Sequence, residues 1–387
     1  MIHSQDSHYA VAASIITDGP TSRTDLANKL NLSAPTLTRI TKKWIAANFI
    51  HEASRVQPAS GRGRPTVMLD INKKGHAFIG VAVERNVVST VIINTGAEVL
   101  FKCENELPSN QLHDVVGQIV ACINSVEDQA REASFDTSLI RGISVSIQGR
   151  VKDRSVVVNS RYLQWRDIDL RAELQDKLEH PVTIVNNSHA MTMWERFYGV
   201  GRDTDTFAML SVGENIEHGL VYNRQIVATP DQGVGYLDHL PLPNSDRVCY
   251  MGHVGCVSAG LSLDALMDAV HSLNNHDAQN TRNLDDVLTI YRAGNTLVAP
   301  IVDDFVYTLG VLTTALSGIA MTNTVAINGT SVTAIRSAWD HFKRGLRTFR
   351  DPDLEDLKIE IRDTATTDRA LAAAIPAIEV WMSKVSA

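Results

Sequence analysis

The chain has 387 residues, of which 44% are hydrophobic and 21% charged, and a formal net charge of −8 at pH 7. This size suits two or three domains, and four cysteines (Cys103, Cys122, Cys249 and Cys256) are too few for the disulfide framework of a small secreted protein. No apolar run is long enough to cross a bilayer, and residues 1–20 lack a signal-peptide pattern. We therefore expect the protein to be cytoplasmic.

The charge is distributed unevenly along the chain. Residues 1–75 hold ten Lys/Arg and five Asp/Glu, a net charge of +5, which leaves −13 on the remainder. A basic N-terminal segment joined to an acidic body is typical of a nucleic-acid-binding module fused to a second functional part.

The first elements of the chain predict a helix-turn-helix. Residues 7–17 form a first helix that Asp18-Gly19-Pro20 ends. In the second helix Leu26 and Leu30 are four residues apart and share one face. Asn31-Leu32 is a short break before the third helix.

The third helix is predicted to contact DNA. Ser33 is a good N-cap, and Pro35 is tolerated in the first turn, where backbone N–H groups have no intrahelical partner. Leu37, Ile40 and Trp44 recur at helical spacing and form an inner face. The outer face carries hydroxyl and cationic groups of the kinds that bond phosphates and base edges, namely Thr36, Thr38, Arg39, Lys42 and Lys43. The alternative is a small helical hairpin with a solvated basic face.

A two-stranded wing is predicted to follow. A short strand at residues 49–52 and a second at Thr66–Ile71 flank the turn-rich segment 54–65. Its tip carries Arg62 and Arg64 between glycines, and two arginines there could enter a narrow minor groove. A flexible linker is the alternative for this segment. We therefore assign residues 1–76 to a winged helix-turn-helix DNA-binding domain with its wing and linker.

From Ala77 the pattern changes to that of an α/β body. Strands are predicted at 77–84, 87–95, 98–104, 140–146 and 182–185, with helices at 113–131 and 167–179. A similar strand meander recurs at 207–228, and the C-terminal part alternates helix 296–321, strand 324–328, helix 333–347, strand 357–362 and helix 367–384. Two meanders followed by helices predict an internally duplicated body.

This order of motifs resembles the ROK family (repressors, open reading frames and kinases), from about residue 8 to the C-terminus. Ser33-Ala34-Pro35-Thr36 and the Gly-Arg-rich wing resemble the repressor branch, while the signals of the body are Gly142–Gly149, Trp165–Leu170 and the segment from Gly233 to Cys256. The resemblance implies a two-lobed, actin-like (RNase H-like, duplicated) sugar-kinase-type body over residues 77–387. Its small lobe would be about 77–185 plus the C-terminal helix, and its large lobe about 186–365.

The chain departs from the kinases of this family at the positions that perform phosphoryl transfer. Their Asp-X-Gly-Gly-Thr phosphate turn corresponds to Ala82–Asn86, where Glu84 would repel a phosphate. A second phosphate turn reads Gly213–Glu217. The catalytic Asp corresponds to Asn187, whose amide cannot accept a proton from a sugar hydroxyl at neutral pH. Two glutamates of the sugar site correspond to Tyr236 and Ser258. We expect no catalytic residue, no ATP binding and no enzyme activity.

The zinc motif of the family is only partly present. The family pattern His-X9-Cys-X-Cys-X4-Cys falls on His239, Cys249 and Cys256, but Met251 replaces the middle cysteine and is a poor zinc ligand. His253 lies close enough in sequence to substitute. The resemblance implies one structural zinc held by this incomplete set, and a loop with two ordinary thiols is the alternative.

These features together predict a DNA-binding transcriptional repressor of carbohydrate metabolism genes. A homodimer, which could pair into a tetramer, would bind a two-fold-related double-stranded operator. The resemblance implies a sugar or sugar-phosphate effector in a cleft lined by Gln148, Asn187, His189, Tyr236 and His239. The alternatives are a sugar kinase with an appended DNA-binding domain, and a regulator that responds to a non-sugar ligand or a protein partner.

Overall fold

The computed structural model of the protein describes residues 7–56, 65–227, 236–242, 246–363 and 365–386. The described residues form two compact units. The first contains those up to residue 202 together with residues 365–386, and the second contains those between residues 203 and 363.

The first unit begins with three helices and a small antiparallel sheet, the arrangement of a winged helix. The elements are α1 (Ser7–Asp18), β1 (Thr21–Ser22), α2 (Arg23–Leu30), α3 (Ala34–Ala46), β2 (Ile50–Val56) and β3 (Thr66–Ile71), with strand order β1-β3-β2. The side chains of Ser22 and Ser33 cap α2 and α3 by accepting hydrogen bonds from backbone N–H groups three residues later. Asn31 adopts the left-handed conformation that ends α2. The predicted helices and hairpin strands of this segment are present, whereas β1 was not predicted.

The rest of the first unit is built on a five-stranded mixed sheet. Its elements are β4 (Ala77–Val83), β5 (Val87–Asn94), β6 (Val99–Glu106), α4 (Leu112–Glu132), β7 (Ile140–Ile147), β8 (Arg150–Lys152), β9 (Val156–Ser160), β10 (Trp165–Asp169), α5 (Leu170–Gln175), β11 (Val182–Asn186) and α6 (Asn187–Phe197). The order is β11-β7-β4-β5-β6, in which β4–β6 form an antiparallel meander and β7 and β11 run parallel to β4. Apolar residues of the sheet and α4, such as Ile79, Ile119 and Ile143, form its core.

The second unit repeats this topology. Its elements are β12 (Phe207–Val212), β13 (Ile216–Tyr222), β14 (Gln225–Ile226), α7 (Val257–Leu261), α8 (Leu263–His271), α9 (His276–Gln279), α10 (Leu284–Arg292), α11 (Ala299–Ala320), β15 (Thr324–Asn328), α12 (Val332–Ser337), α13 (Trp339–Thr348) and β16 (Lys358–Ile361). The sheet order β14-β13-β12-β15-β16 again combines an antiparallel meander with two parallel strands. The predicted duplicated α/β body is therefore confirmed.

The last helix, α14 (Thr366–Ser386), belongs to the first unit and packs on its sheet, on α6 and on the winged helix. Gly80 of β4 permits a close approach, because a Cβ atom there would meet the Ala370 carbonyl oxygen at 2.1 Å. Further along α14, the Trp381 ring lies 6.2 Å from the Trp44 ring and 5.3 Å from the Phe49 ring, centroid to centroid. Through these contacts α14 joins the sheet to the helices that precede it.

Two predictions about elements were wrong in detail. The helix predicted over 167–179 is strand β10 followed by the short helix α5, because residues 165–169 pair antiparallel with β9. The helix predicted over 333–347 is divided at Ala338 into α12 and α13. The first compact unit extends to residue 202, because α6 packs against α14.

Helix α11 needs a correction of another kind. Its 22 residues are long and apolar enough to cross a membrane by length and composition, which the sequence analysis did not anticipate. Half of its most apolar window is buried. Phe305, Leu309 and Leu316 belong to the core of the second unit, and Gly310 and Gly345 bring α11 and α13 into close contact. The helix therefore has the packing of a core helix.

Candidate DNA-binding, effector and metal sites

The outer face of α3 is available to a partner. Ser33, Pro35, Thr38, Arg39, Lys42 and Lys43 are exposed and Thr36 is half-buried. The Thr38 hydroxyl donates to the Ala34 carbonyl at 2.8 Å, and Lys43 Nζ donates to the Ser386 carbonyl at 3.2 Å. Arg39 and Lys42 make no hydrogen bond or ion pair with any residue that the structure describes. The predicted wing-tip residues Arg62 and Arg64 lie outside the described residues.

The inner face of α3 anchors the helix to the rest of the N-terminal segment. Leu37, Ile40 and Trp44 are fully buried. The Trp44 Nε1–H donates to the His8 carbonyl of α1 at 2.9 Å. Because α3 is fixed on its inner side, the exposed hydroxyl and cationic groups all lie on the opposite side of one rigid helix.

The turn between β4 and β5 is the segment that the resemblance assigns to the first phosphate turn of the kinases. Its Glu84 carboxylate accepts a hydrogen bond from Arg369 of α14, and only 13% of the Glu84 side chain is exposed. An internal ion pair thus occupies the position where a kinase needs small residues and open backbone N–H groups. The arginine partner, 285 positions away in sequence, was not predicted.

The start of α6 is organised by Asn186. Its Oδ1 atom accepts hydrogen bonds from the backbone N–H of Ser188 at 2.7 Å and from the Ser188 hydroxyl at 2.6 Å. Its Nδ2 atom donates to the Gly149 carbonyl at 2.7 Å. Gly149 has φ +131°, and a Cβ atom there would meet the Asn159 carbonyl oxygen at 2.2 Å, so glycine is required. These bonds hold the turn that follows β7 against the beginning of α6. Gln148, which is half-buried, lies in this turn.

Two of the predicted effector-binding side chains carry buried polar atoms. Asn187 Oδ1 and His189 Nε2 are buried and have no hydrogen-bond partner among the described residues. Burial lowers the pKa of His189 to about 4, Arg154 contributes in the same direction and Glu379 opposes both, so the imidazole is neutral at pH 7. Buried polar atoms are normally paired, and these two are suited to a ligand that supplies hydrogen-bonding groups.

A half-buried ion pair that local sequence patterns did not predict lies next to His189. Arg154 Nη2 donates to Glu379 Oε2 of α14 at 2.6 Å, and the Tyr9 hydroxyl of α1 lies 3.4 Å from Glu379 Oε1. Burial would raise the pKa of Glu379, but the charge and the hydrogen bond of Arg154, with a smaller contribution from the charge of Arg196, outweigh burial and lower it. The cluster joins α1, α6 and α14 within the first unit.

The remaining predicted effector residues belong to the second unit. Tyr236 and His239 lie on one short 3-10 helix, Tyr236–His239, and the side chain of Tyr236 is outside the described residues. Ser258 is buried in α7. Gln148, Asn187 and His189 belong to the first unit.

A group of two histidines and two cysteines could hold a metal ion. Ligand atoms of His239, Cys249, His253 and Cys256 all lie within 4.8 Å of one another. Antiparallel bridges pair Val248 with Val254 and Pro241 with Cys256. A turn through Gly252, with φ +84°, carries the chain from Cys249 back to His253. The three predicted ligands His239, Cys249 and Cys256 are therefore brought together, and His253 joins them as a fourth. Met251 is 60% exposed and is not part of the group.

The geometry of this group fits zinc. His239 Nδ1 lies 3.8 Å from Cys249 Sγ and 3.7 Å from Cys256 Sγ. Tetrahedral zinc with ordinary Zn–N and Zn–S bonds places such atoms about 3.6 Å apart. The other ring nitrogen, Nε2, faces Asp238 Oδ2 at 3.5 Å and the Tyr250 hydroxyl at 3.4 Å. A carboxylate on the outer nitrogen of a metal-binding histidine is a common arrangement because it orients the ring.

Comparison with known proteins identifies relatives of the chain. The sequence model of the ROK family matches residues 78–349. The chain is 25% identical over 253 residues to a putative xylose repressor of Caldicellulosiruptor sp. (strain Rt8B.4), covering 65% of this chain and 62% of that protein. It is 23% identical to the xylose repressor of Bacillus subtilis (strain 168), covering 71% and 72%, and 23% identical to the transcriptional dual regulator NagC of Escherichia coli (strain K12), covering 72% and 68%. Against the Caldicellulosiruptor protein the match spans less than two thirds of the relative's length.

Solved structures show the same fold. A ROK family transcriptional regulator described as a homologue of the E. coli MLC protein superposes with a TM-score of 0.81 over 98% of this chain and 97% of that chain, at 22% identity. A ROK family glucokinase from Streptomyces griseus, in complex with glucose and AMPPNP, superposes with a TM-score of 0.64 over 77% of this chain and 98% of that chain, at 15% identity. The regulator, unlike the kinase, matches the chain over nearly its whole length.

Proposed function

The chain belongs to the ROK family, and from this premise we propose that it is a DNA-binding transcriptional regulator that represses genes of carbohydrate metabolism. The observation that carries the proposal is the outer face of α3, where Arg39 and Lys42 are exposed and unpaired among the described residues while Leu37, Ile40 and Trp44 hold the opposite face in place. Relatives named as repressors support the same assignment.

DNA binding is tested by selecting genomic fragments with the purified full chain and measuring their affinity by fluorescence anisotropy. We expect enrichment of fragments with two-fold-related half-sites, because a dimer presents two copies of α3. Arg39→Ala should reduce discrimination between the selected site and random DNA by at least about tenfold, the loss expected for one good base contact. Equal affinity of the wild-type protein for selected and random DNA would overturn the proposal.

We propose that a sugar or sugar phosphate is the effector and that Gln148, Asn187 and His189 of the first unit bind it. The buried, unpaired Asn187 Oδ1 and His189 Nε2 atoms support a ligand rich in hydroxyl groups. The names of the relatives make D-xylose and N-acetylglucosamine, with their phosphates, the first probes. A probe that acts at this site should shift DNA affinity in the wild type and not in Asn187→Leu. If no probe shifts it, a regulator that responds to a non-sugar ligand or protein partner is favoured.

The chain is proposed to lack kinase activity and not to bind ATP. The Glu84–Arg369 ion pair occupies the first phosphate turn, and Asn187 cannot act as a general base. Incubation with ATP and a panel of hexoses should give no sugar phosphate above a blank without protein. Sugar phosphate that disappears in Asn187→Leu would instead establish the alternative, a sugar kinase with an appended DNA-binding domain.

The proposal has three further parts. They are a structural zinc ion, a homodimer that can pair into a tetramer, and a cytoplasmic location. His239, Cys249, His253 and Cys256 would hold the ion, which would brace the loop between β14 and α7 and supply no reaction chemistry. Light scattering of the purified chain tests the dimer, because a monomer at micromolar concentration would contradict a two-fold operator. Cell fractionation tests the location.

A further inference from the structure

Two cysteines outside the metal group lie in contact with each other. The Sγ atoms of Cys103 in β6 and Cys122 in α4 are 3.3 Å apart, although the residues are 19 positions apart in sequence. Both are free thiols in the structure. A disulfide bond is about 2.05 Å long, so the two sulfurs need to approach by little more than an ångström.

The surroundings of the two thiols differ. Cys122 is fully buried, and its Sγ atom lies 3.6 Å from the Val88 carbonyl oxygen. Cys103 is half-buried and lies on β6, which is the edge strand of its sheet. An edge strand has a neighbour on one side only, so the backbone at Cys103 can shift more easily than a central strand could.

We propose that Cys103 and Cys122 form an oxidation site, in which a peroxide converts the two thiols into one intramolecular disulfide. The Cys103 thiol first loses its proton to solvent. The thiolate attacks a peroxide oxygen, the O–O bond breaks, Cys103 becomes a sulfenic acid, and the hydroxide that leaves takes up a proton from solvent to give one water. The Cys122 sulfur then attacks the Cys103 sulfur, an S–S bond forms, and the sulfenic oxygen leaves as a second water with the Cys122 proton. Two thiols are oxidised by two electrons and one hydrogen peroxide is reduced to two waters.

The order of these steps follows from access. Cys103 is the thiol that a small oxidant can reach, whereas Cys122 is enclosed by protein. Burial raises the pKa of the Cys122 thiol to about 12, and the neighbouring Cys103 contributes to the shift, which also favours Cys122 as the second sulfur to react. A reducing compartment keeps both thiols free, so the disulfide is a conditional modification.

Peptide mapping of the full chain tests the proposal directly. No Lys or Arg lies between Cys103 and Arg131, so trypsin releases both cysteines on one peptide. After hydrogen peroxide treatment and alkylation we expect most of this peptide to be unalkylated and lighter by two hydrogens. Reduction before alkylation should convert it to the doubly alkylated form. Cys249 and Cys256 also share a tryptic peptide, which ends at Arg282, and its separate mass reports oxidation at the metal group.

Variants and stability provide the controls. In Cys122→Ala, Cys103 should be trapped as a sulfenic acid, and in Cys103→Ala the peptide should keep an alkylatable Cys122. The wild-type mapping stands without these variants should either fail to fold. The oxidised wild type should unfold at a higher temperature than the reduced protein, because the crosslink restricts the unfolded chain. A doubly alkylated peptide after peroxide treatment would overturn the proposal.

Discussion

His189 is a buried base whose protonation opposes folding. Its folded-state pKa is about 4, whereas an unfolded histidine titrates near 6.5. Between these two pH values the unfolded chain binds the extra proton, so the free energy of unfolding falls as the pH decreases from about 6.5 to about 4. The contribution of His189 is complete above pH 6.5 and amounts to at most about 3.4 kcal/mol, or about 1.36 kcal/mol for each of about 2.5 pKa units. Urea unfolding at a series of pH values measures it.

Substitution separates this contribution from those of other groups. We expect His189→Gln to flatten the pH dependence of the unfolding free energy between about pH 6.5 and 4, because glutamine cannot take up the proton. His276→Gln is the matched control, since the side chain of His276 is 92% exposed and should leave the profile unchanged. Parallel pH profiles for wild type and His189→Gln would refute the assignment.

His253 and Met251 make a matched pair for the metal group. The structure brings His253 to the other three ligand residues, and Met251 is 60% exposed. We predict that His253→Ala lowers zinc affinity by at least about tenfold, because a tetrahedral site loses one of its four ligands. Met251→Leu should leave zinc affinity unchanged. Competition with a chromophoric chelator measures both affinities, and an unchanged affinity in His253→Ala would instead favour a site made of His239, Cys249 and Cys256 alone.

At the scale of elements, α14 determines how firmly the winged helix is attached to the sheet. Trp381 contacts Trp44, Phe49, His76 and Phe78, with ring centroids 4.3–6.2 Å apart. We expect Trp381→Ala to lower the free energy of unfolding by about 2–4 kcal/mol, since a large aromatic side chain leaves a cavity. Hydrogen exchange should rise in α1 and α3, which α14 contacts directly or through Trp44.

Trp339→Ala is the control for that prediction. Trp339 also lies on a helix, as the first residue of α13. Its side chain, however, is 39% exposed and stacks on Phe342. Its loss should cost about 1 kcal/mol or less and should leave exchange in α1 and α3 unchanged. A smaller effect of Trp381→Ala than of Trp339→Ala would contradict the role given to α14.

The elements also show what local sequence could and could not predict. The strands of both meanders and helices α3, α4, α11 and α14 were predicted because apolar spacing alone identifies them. Residues 165–169 were assigned to a helix because the partner strand β9, which decides the conformation, is not visible in a local pattern. Asp169 is the N-cap of α5, because its side chain accepts a hydrogen bond from the Ala172 N–H. The spacing of apolar residues does not show this later start of the helix.

In the candidate sites too, groupings of residues close together in sequence were predicted and pairings of distant residues were not. The spacing of His239, Cys249 and Cys256 was readable in the sequence, because these residues are close together along the chain. The fourth member, His253, depends on the turn at Gly252 and was only a possible substitute until the structure placed it. Glu84 with Arg369 and Arg154 with Glu379 are separated by 285 and 225 positions, so no local signal could pair them.

At the scale of the whole molecule, the chain combines a basic N-terminal segment with an acidic duplicated body. Residues 1–75 carry a net charge of +5 within a chain of net charge −8. An acidic body repels DNA, so the proposed DNA binding would be oriented through the cationic face of α3. We therefore expect the proposed DNA affinity to depend steeply on salt, because each phosphate contact releases counterions.

Salt dependence therefore tests which residues contact the DNA backbone. We predict that Lys42→Ala makes the slope of log K against log salt less steep by about 0.9 per protomer, because Lys42 is exposed and unpaired among the described residues and would neutralise one phosphate. Lys177→Ala, an exposed lysine just after α5 in the body, should leave the slope unchanged. Fluorescence anisotropy with a selected operator at several salt concentrations measures the slopes. An equal reduction in the two variants would mean that the whole surface attracts DNA non-specifically, and α3 would lose its assignment as the recognition helix.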